Sequence, residues 1–277
     1  MVADGRQPGA AVSFPLISIV IPCFNAAATI RESIESVLSQ DYQPLEVIIQ
    51  DGGSSDDTIE ILREYGDRLN IVSEPDSGQA DALKKGILRA HGTIVGWLNA
   101  DDIYAPGALT HIARVFQRQP DMDIVYGDFQ LINEHGAVLR RINLSDWEWE
   151  KLITRATIPF SGATFFHRRV FQRYGMFDES LHYAMDLEYF LRVGRTVHAD
   201  YVPAILASFR VHQASKTGSV PLKFVKEGHR LRWSYSGDSW RLRLGTIKLD
   251  LLGVIYSSLN GLRWSKASEI VRRSKRG

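Results

Sequence analysis

Apolar and polar residues alternate in two different periods along the first hundred positions. Residues 16 to 24, LISIVIPCF, form an apolar run closed by Pro22 and Asn25, which suits a strand buried on both faces. In AAATIRESIESVLSQ the apolar residues Ile30, Ile34, Val37 and Leu38 fall instead at the three-and-four spacing of one helical face. The same exchange then repeats. LEVIIQ reads as a strand ending on Asp51 ahead of Gly52 and Gly53, and DDTIEILREY as a helix with Ile59 and Leu62 inward and a capping box from Asp57 to Glu60. LNIVSE is a third strand, and GQADALKKGILRA a third helix with Leu83 and Ile87 inward and Gly92 just past its end. TIVGWL is a fourth strand. Four strand-and-helix exchanges predict a parallel sheet covered by helices on both faces and built by right-handed crossovers.

Beyond residue 120 the regularity loosens. MDIVYGDFQLINEHGAVL predicts two strands joined around Glu134, His135 and Gly136. RRVFQRYGMF and MDLEYFLRVG predict helices, and ADYVPAILASFRVH a strand interrupted by Pro203. No internal repeat or low-complexity tract is present. The expected organisation is a flexible tail over residues 1–15 and an α/β domain over 16–215, divided into halves at 16–120 and 121–215. A basic amphipathic helical extension follows over 216–277.

Charge changes the picture only at that extension. The chain has 277 residues, 44% of them apolar and 23% charged, and a formal net charge of +1, which fits a globular protein able to bury a large core. Residues 222 to 277 nevertheless carry 13 Lys or Arg against 4 Asp or Glu, a net +9, leaving −8 for residues 1 to 221. Leu242, Leu244, Ile247, Leu251, Leu252 and Ile255 among those basic residues suit an anionic membrane surface, where each basic residue contributes about 1 kcal/mol. They equally suit docking on the α/β domain or on a second subunit. No nucleic-acid-binding module accompanies the basic residues. Cys23 is the only cysteine, which excludes an intramolecular disulfide and a Cys-x-x-Cys metal site, and nothing nearby would activate it as a nucleophile. With no basic flank leading into an apolar run at MVADGRQPGAAVS, and no run of about 18 apolar residues, the expectation is a cytoplasmic protein, peripheral at the inner face of a membrane if the extension binds lipid.

Candidate chemistry follows from where the strands end. Ligands of an open parallel sheet bind beyond the carboxyl ends of its strands, and here those ends carry PCFN, Asp51 and the pair Asp101 and Asp102. Clustered carboxylates repel one another unless a cation joins them, and hard oxygen ligands favour Mg²⁺ or Mn²⁺. Such ions take their remaining ligands from water and substrate phosphates, which suits a nucleotide diphosphate.

Four segments in order, SIVIPCFNAAATIRESIESVLSQ, VIIQDGGSSDDT, DSGQADALKKGI and GTIVGWLNADDIYAPGAL, resemble the nucleotide-binding half of the family 2 glycosyltransferases. The resemblance covers about residues 16 to 215. It implies the GT-A fold, a mostly parallel central sheet flanked by helices, and an inverting transfer of a sugar from a nucleotide-sugar donor, by default a UDP-sugar, to an acceptor hydroxyl. A role in cell-surface polysaccharide or glycolipid synthesis, with a glycan or lipid-linked acceptor, would follow, and an oligomer is compatible with it. By position, Pro22, Phe24 and Asn25 would line the nucleoside pocket and Asp51 would bind the base or ribose. Gly78 and Gln79 would allow close backbone approach, with Asp81, Asn99 and Ala100 also beside the nucleotide. NAD at 99 to 101 stands where the family has its Asp-x-Asp metal motif, with Asn99 in place of the first Asp and Lys84 where relatives often have Asn. Asp101, Asp102 and His212 are then the expected holders of Mn²⁺ or Mg²⁺, with Arg210 or Lys216 adding positive charge. Asp186 is the expected catalytic base, preceded by Met185 where the family usually has Glu, and Glu188 is its fallback. A catalytically inactive nucleotide-sugar or glycan-binding module is the alternative. A sugar nucleotidyltransferase fits less well, because PCFNAAAT lacks a Gly-rich basic phosphate loop, and a dinucleotide dehydrogenase lacks its Gly-x-Gly-x-x-Gly.

Overall fold

A computed structural model of the chain describes residues 14–155, 158–212 and 221–249. The expected tail up to residue 13, Lys216, and the extension from residue 250 onward, with Leu251, Leu252 and Ile255, lie outside the described residues. The first half runs β1 (Ile17–Cys23), α1 (Ile30–Leu38), β2 (Leu45–Asp51), α2 (Thr58–Arg63), β3 (Asn70–Ser73), α3 (Gln79–Arg89) and β4 (Ile94–Trp97). β1 pairs in parallel with both β2 and β4, and β2 with β3. Every residue of β1 and β4 is buried, which is why neither strand shows polar alternation.

The second half continues with β5 (Ile103–Tyr104), α4 (Ala108–Arg118), β6 (Ile124–Ile132), β7 (Val138–Ile142) and α5 (Trp149–Thr154). After it come β8 (Thr164–His167), α6 (Arg169–Tyr174), α7 (Met185–Val193), β9 (Ala199–Arg210) and α8 (Pro221–Tyr235). A further helix runs from 240 to 249. One sheet spans both halves in the order β3-β2-β1-β4-β8-β6-β9-β5, with β7 paired to β6. β8 lies antiparallel to both β4 and β6, so the parallel run of the first half stops at β4. The expected hairpin is present as β6 and β7. α4 and β8 extend the expected list of elements.

Alternate side chains of β1 feed two cores. Ile17, Ile19 and Ile21 pack with Ile34 and Val37 of α1 and Ile112 and Phe116 of α4. Val20 packs on the opposite face with Leu83 and Ile87 of α3, Trp97, Phe166 and Phe190. Leu231 of α8 and Leu242 belong to this second core, so the start of the basic extension docks on the α/β domain. Its far helix still presents Trp240, Leu244 and Ile247 to solvent.

Three local readings are corrected by the structure. Pro203 does not interrupt β9: the strand runs through it, and the register against β6 slips between Gly127 and Phe129 to absorb the residues around the missing N–H donor. The N-cap Asp57 of α2 makes no side-chain cap, because Asp56 does that work, accepting from the Thr58 and Ala27 amides. Gly92 serves packing rather than helix termination, since a Cβ there would lie 2.7 Å from the Ser18 backbone nitrogen.

Candidate active site

The carboxyl ends of β1 to β4 meet as four interlocked loops. After β1, Phe24 is 62% exposed, and Asn25 adopts a left-handed φ of 50°, from which its side-chain oxygen accepts the Ser55 amide. The Ala26 and Ala27 amides donate to Thr58 Oγ1 and Asp56, tying this loop to the one after β2. Pro22 itself is buried within β1. Asp51, at the end of β2, is buried and accepts from the Gly53 and Ser54 amides and from the Ser54 and Ser73 hydroxyls. Burial pushes its pKa up, but those donors outweigh it and hold the carboxyl below its usual range. Cys23 lies beside it, and burial followed by the Asp51 charge pushes the thiol far up, leaving it inert as the sequence suggested.

The third loop is threaded against the second. A Cβ on Gly52 would come within 2.5 Å of Asp76 Oδ2, while Asp76 Oδ1 accepts the Gly78 amide at 2.8 Å. Gly78, with φ 129°, opens α3 into free space. Gln79 donates to Asn99 at 2.7 Å, which links this loop to the fourth. Asp81 accepts the Ser77 amide and pairs with Lys85, and Lys84 pairs with Glu179 at 2.6 Å.

The fourth loop, from Asn99 to Asp102, divides its two acids between inside and outside. Asp102 is fully buried, with one oxygen accepting the Arg210 amide at 2.9 Å and the other the Asn99 side-chain nitrogen at 2.7 Å. Burial and the adjacent Asp101 charge push its pKa well above the usual carboxylate range. Expected as a metal ligand, Asp102 is instead an inward anchor for β9. Asp101 keeps its carboxylate at the surface, 29% exposed, with Oδ2 3.0 Å from Nε2 of His212, itself 23% exposed. Ala100, between Asn99 and Asp101, is buried.

Arg210 holds this arrangement from beneath. Its side chain is 2% exposed; it donates to the Asp101 carbonyl at 2.8 Å and to the carbonyls of Asn133 and Glu134, and pairs with Glu32. It is therefore a brace rather than a free positive charge. Ser33 completes the support by donating to the Asp102 carbonyl. The sequence signal for Arg210 was a charged residue inside the apolar strand SFRVH; none marked Glu32 or Ser33.

Asp186 sits in the first turn of α7, as the motif implied, and accepts the Leu187 amide at 2.7 Å. Burial pushes its pKa up, while that amide and Arg232 oppose the rise. Glu188 is committed elsewhere: it is buried, pairs twice with Arg192 and accepts the Tyr235 hydroxyl. A small cleft lined by Ser77, Gly78, Gln79, Asp81, Glu179 and Met185 joins the start of α3 to the loop leading into α7. The fold thus brings Gly78, Gln79 and Asp81 to one side of that cleft, with the segment entering α7 on the other.

The chemistry of the donor set limits which ion would fit. Among the described residues no group of three or more His, Cys, Asp or Glu is placed to hold a metal ion. The Asp101 carboxylate fits an ion completed by water and phosphate oxygens, as Mg²⁺-type sites are, while the His212 imidazole beside it is a softer donor.

Comparison with known proteins follows the same outline. Residues 18–185 match the family model described as glycosyl transferase family 2. An uncharacterized glycosyltransferase of Rickettsia prowazekii (strain Madrid E) is 30% identical over 212 residues, 74% of this chain and 67% of the relative. The hyaluronan synthase of Pasteurella multocida is 30% identical over 219 residues, covering 78% of this chain but 22% of the synthase. Among solved structures, S. aureus TarS 1–349 in complex with UDP-GlcNAc superposes with a TM-score of 0.62 at 16% identity, over 83% of this chain and 69% of that one.

Proposed function

Because the chain belongs to glycosyl transferase family 2, we propose that it is a metal-dependent, inverting glycosyltransferase that moves a sugar from a nucleotide-diphosphate donor to an acceptor hydroxyl. The observation that carries this reading is the Asp101–His212 pair, which keeps a carboxylate and an imidazole partly exposed at the sheet edge. TarS has been crystallised with UDP and with UDP-GlcNAc, which supports a UDP-sugar as the donor. The likeness to a hyaluronan synthase supports a glycan acceptor.

In this reading the loops after β1 and β2 hold the nucleoside, with Phe24 offering an exposed ring at their rim. Asp51 shapes that pocket by fixing the 53–54 turn. Gly78 and Gln79 let the backbone approach the nucleotide, and Asp101 with His212 would hold Mn²⁺ or Mg²⁺. That cation would supply positive charge where the leaving diphosphate gathers negative charge. Asp186 takes the proton from the acceptor hydroxyl, a task for which a carboxyl with a raised pKa is suited. The exposed Trp240, Leu244 and Ile247, with Arg241 and Lys248 close in sequence, would rest on an anionic membrane surface bearing a lipid-linked acceptor. No helix among the described residues is long and apolar enough to cross a membrane.

Asp101→Ala is expected to lower donor turnover by about 10²–10³-fold, measured as nucleotide diphosphate release from a panel of nucleotide sugars with Mn²⁺ or Mg²⁺. Wild-type turnover that persists in chelator removes the metal role. Nucleotide-sugar binding without any turnover by the wild type would favour the inactive binding module.

A further inference from the structure

The loop that delivers Asp186 is held by an element far along the chain. The Tyr183 and Ala184 amides both donate to Glu227 Oε2 at 2.7 Å, and the His182 amide donates to Oε1 at 3.4 Å. Ala184 is the N-cap residue of α7, and its amide is one of the helix's orphan donors; those of His182 and Tyr183 belong to the two residues that lead into it. A carboxylate near a helix N-terminus is also favoured by the helix dipole. Glu227 therefore ties from α8 the backbone that leads into α7, while within the helix Asp186 itself accepts the Leu187 amide.

The rest of α8 is fitted to the same purpose. Gly228, the residue after Glu227, is buried, and a Cβ there would lie 3.7 Å from Leu187 Cδ2, so α8 crosses α7 one residue beyond Asp186. Phe224 packs its ring 5.6 Å from that of Tyr183, and Tyr235 donates to Glu188. Arg232, which donates to the Leu152 carbonyl, is the charged residue of α8 that acts on Asp186.

We propose that Glu227 is a positioning residue for sugar transfer: by gathering the 182–184 amides it sets the entry of α7 and with it the place of Asp186. The proposal rests on Asp186 serving as the base. Placing a base within reach of the acceptor hydroxyl is worth far more than holding it loosely, since a misplacement of about 1 Å can cost on the order of 10²-fold. Glu227 does not touch the reacting atoms, so its loss spares donor binding.

The test uses the full chain, with nucleotide-sugar affinity and stoichiometry measured by calorimetry beside transfer rates over pH. Glu227→Ala is expected to lower kcat by on the order of 10- to 100-fold, with nucleotide affinity and stoichiometry retained. The acidic limb of its kcat profile should move to lower pH, because a loosened loop admits water to Asp186 and relieves the burial that raises its pKa. Glu227→Gln, which keeps an acceptor oxygen for the amides, should recover most of kcat. A fall in binding stoichiometry that matches the fall in rate, with an unmoved acidic limb, would mean that Glu227 only supports folding and would overturn the proposal. So would a Glu227→Ala enzyme of normal rate. If Glu227→Ala does not fold, Glu227→Gln and Glu227→Asp carry the same comparison, and equal wild-type kcat and pH profiles in both overturn it. Normal transfer by Asp186→Asn would sink the underlying reading instead, which separates the two failures.

Discussion

The turn from Asn99 to Asp102 and the start of α7 each present one aspartate, and they prepare it in opposite ways. At the turn the surroundings are polar: Arg210, Asn99, Gln79 and Ser33 fix the backbone and the buried partner Asp102, leaving Asp101 outward against His212. At α7 burial dominates: Leu187, Tyr189 and Phe190 of the same helix are buried, Phe177 packs 4.7 Å from the Tyr189 ring, and the Leu187 amide and Arg232 oppose the effect of burial on Asp186 only in part. One region spends hydrogen bonds to hold a surface carboxylate in place. The other withholds solvent, so that a carboxylate binds its proton more tightly. The first suits a ligand for charge and the second a proton acceptor, which is how two residues of one type come to do different chemistry.

The comparison breaks most visibly at Asp186. Asp186→Asn is expected to cost about 10²–10⁴-fold in transfer while nucleotide affinity, measured by calorimetry, is retained; equal losses in both would show that the two regions are not separate. In the wild type, a base must be deprotonated, so kcat should fall as pH drops through a pKa raised above the usual Asp value. The stability sign is opposite to that of a salt-bridged acid: a raised folded pKa means that Asp186 weakens the fold as pH rises through it.

A smaller effect tests the polar region. Arg210→Met removes the donor to three carbonyls and to Glu32, and should cost about 1–3 kcal/mol in denaturant unfolding. Nucleotide-dependent stabilisation by Mn²⁺ should be lost with it, because Asp101 is no longer braced. An unchanged metal response would place the bracing elsewhere. The smallest effect sharpens the contrast at Asp51, a third acid, buried like Asp102 but saturated with donors. Its lowered pKa contributes stability above the ordinary Asp value that is lost as pH falls through the folded value. Ser73→Ala should remove about 1 kcal/mol and move acid unfolding to higher pH, followed by circular dichroism.

Much of the first half was legible because each of its elements carries its own period. LISIVIPCF and TIVGWL show no polar alternation since both sheet faces are covered, and Leu83 and Ile87 mark the inner face of α3 by spacing alone. Asp101 and Asp102 were equally visible as acids after a buried strand. Their division into one outward and one inward residue was not, because it depends on an amide 108 positions away, that of Arg210. Pro203 misled for a related reason: a proline forbids a ladder bond locally, but whether the strand ends or bulges is decided by the partner strand β6.

The sequence by itself determined the alternating α/β framework, the strand ends that carry the acids, and the helix that holds Asp186 in its first turn, since these follow from neighbours within a few residues. Only the tertiary structure decided that Asp102 faces inward, that Arg210 is a brace, and that Glu227 gathers the amides leading into α7, which lie 43, 44 and 45 positions away. Local periodicity records which way a side chain faces from its own element. It carries no record of which distant backbone donor or acceptor will arrive to meet it, and that meeting sets the charge, burial and position on which the proposed chemistry depends.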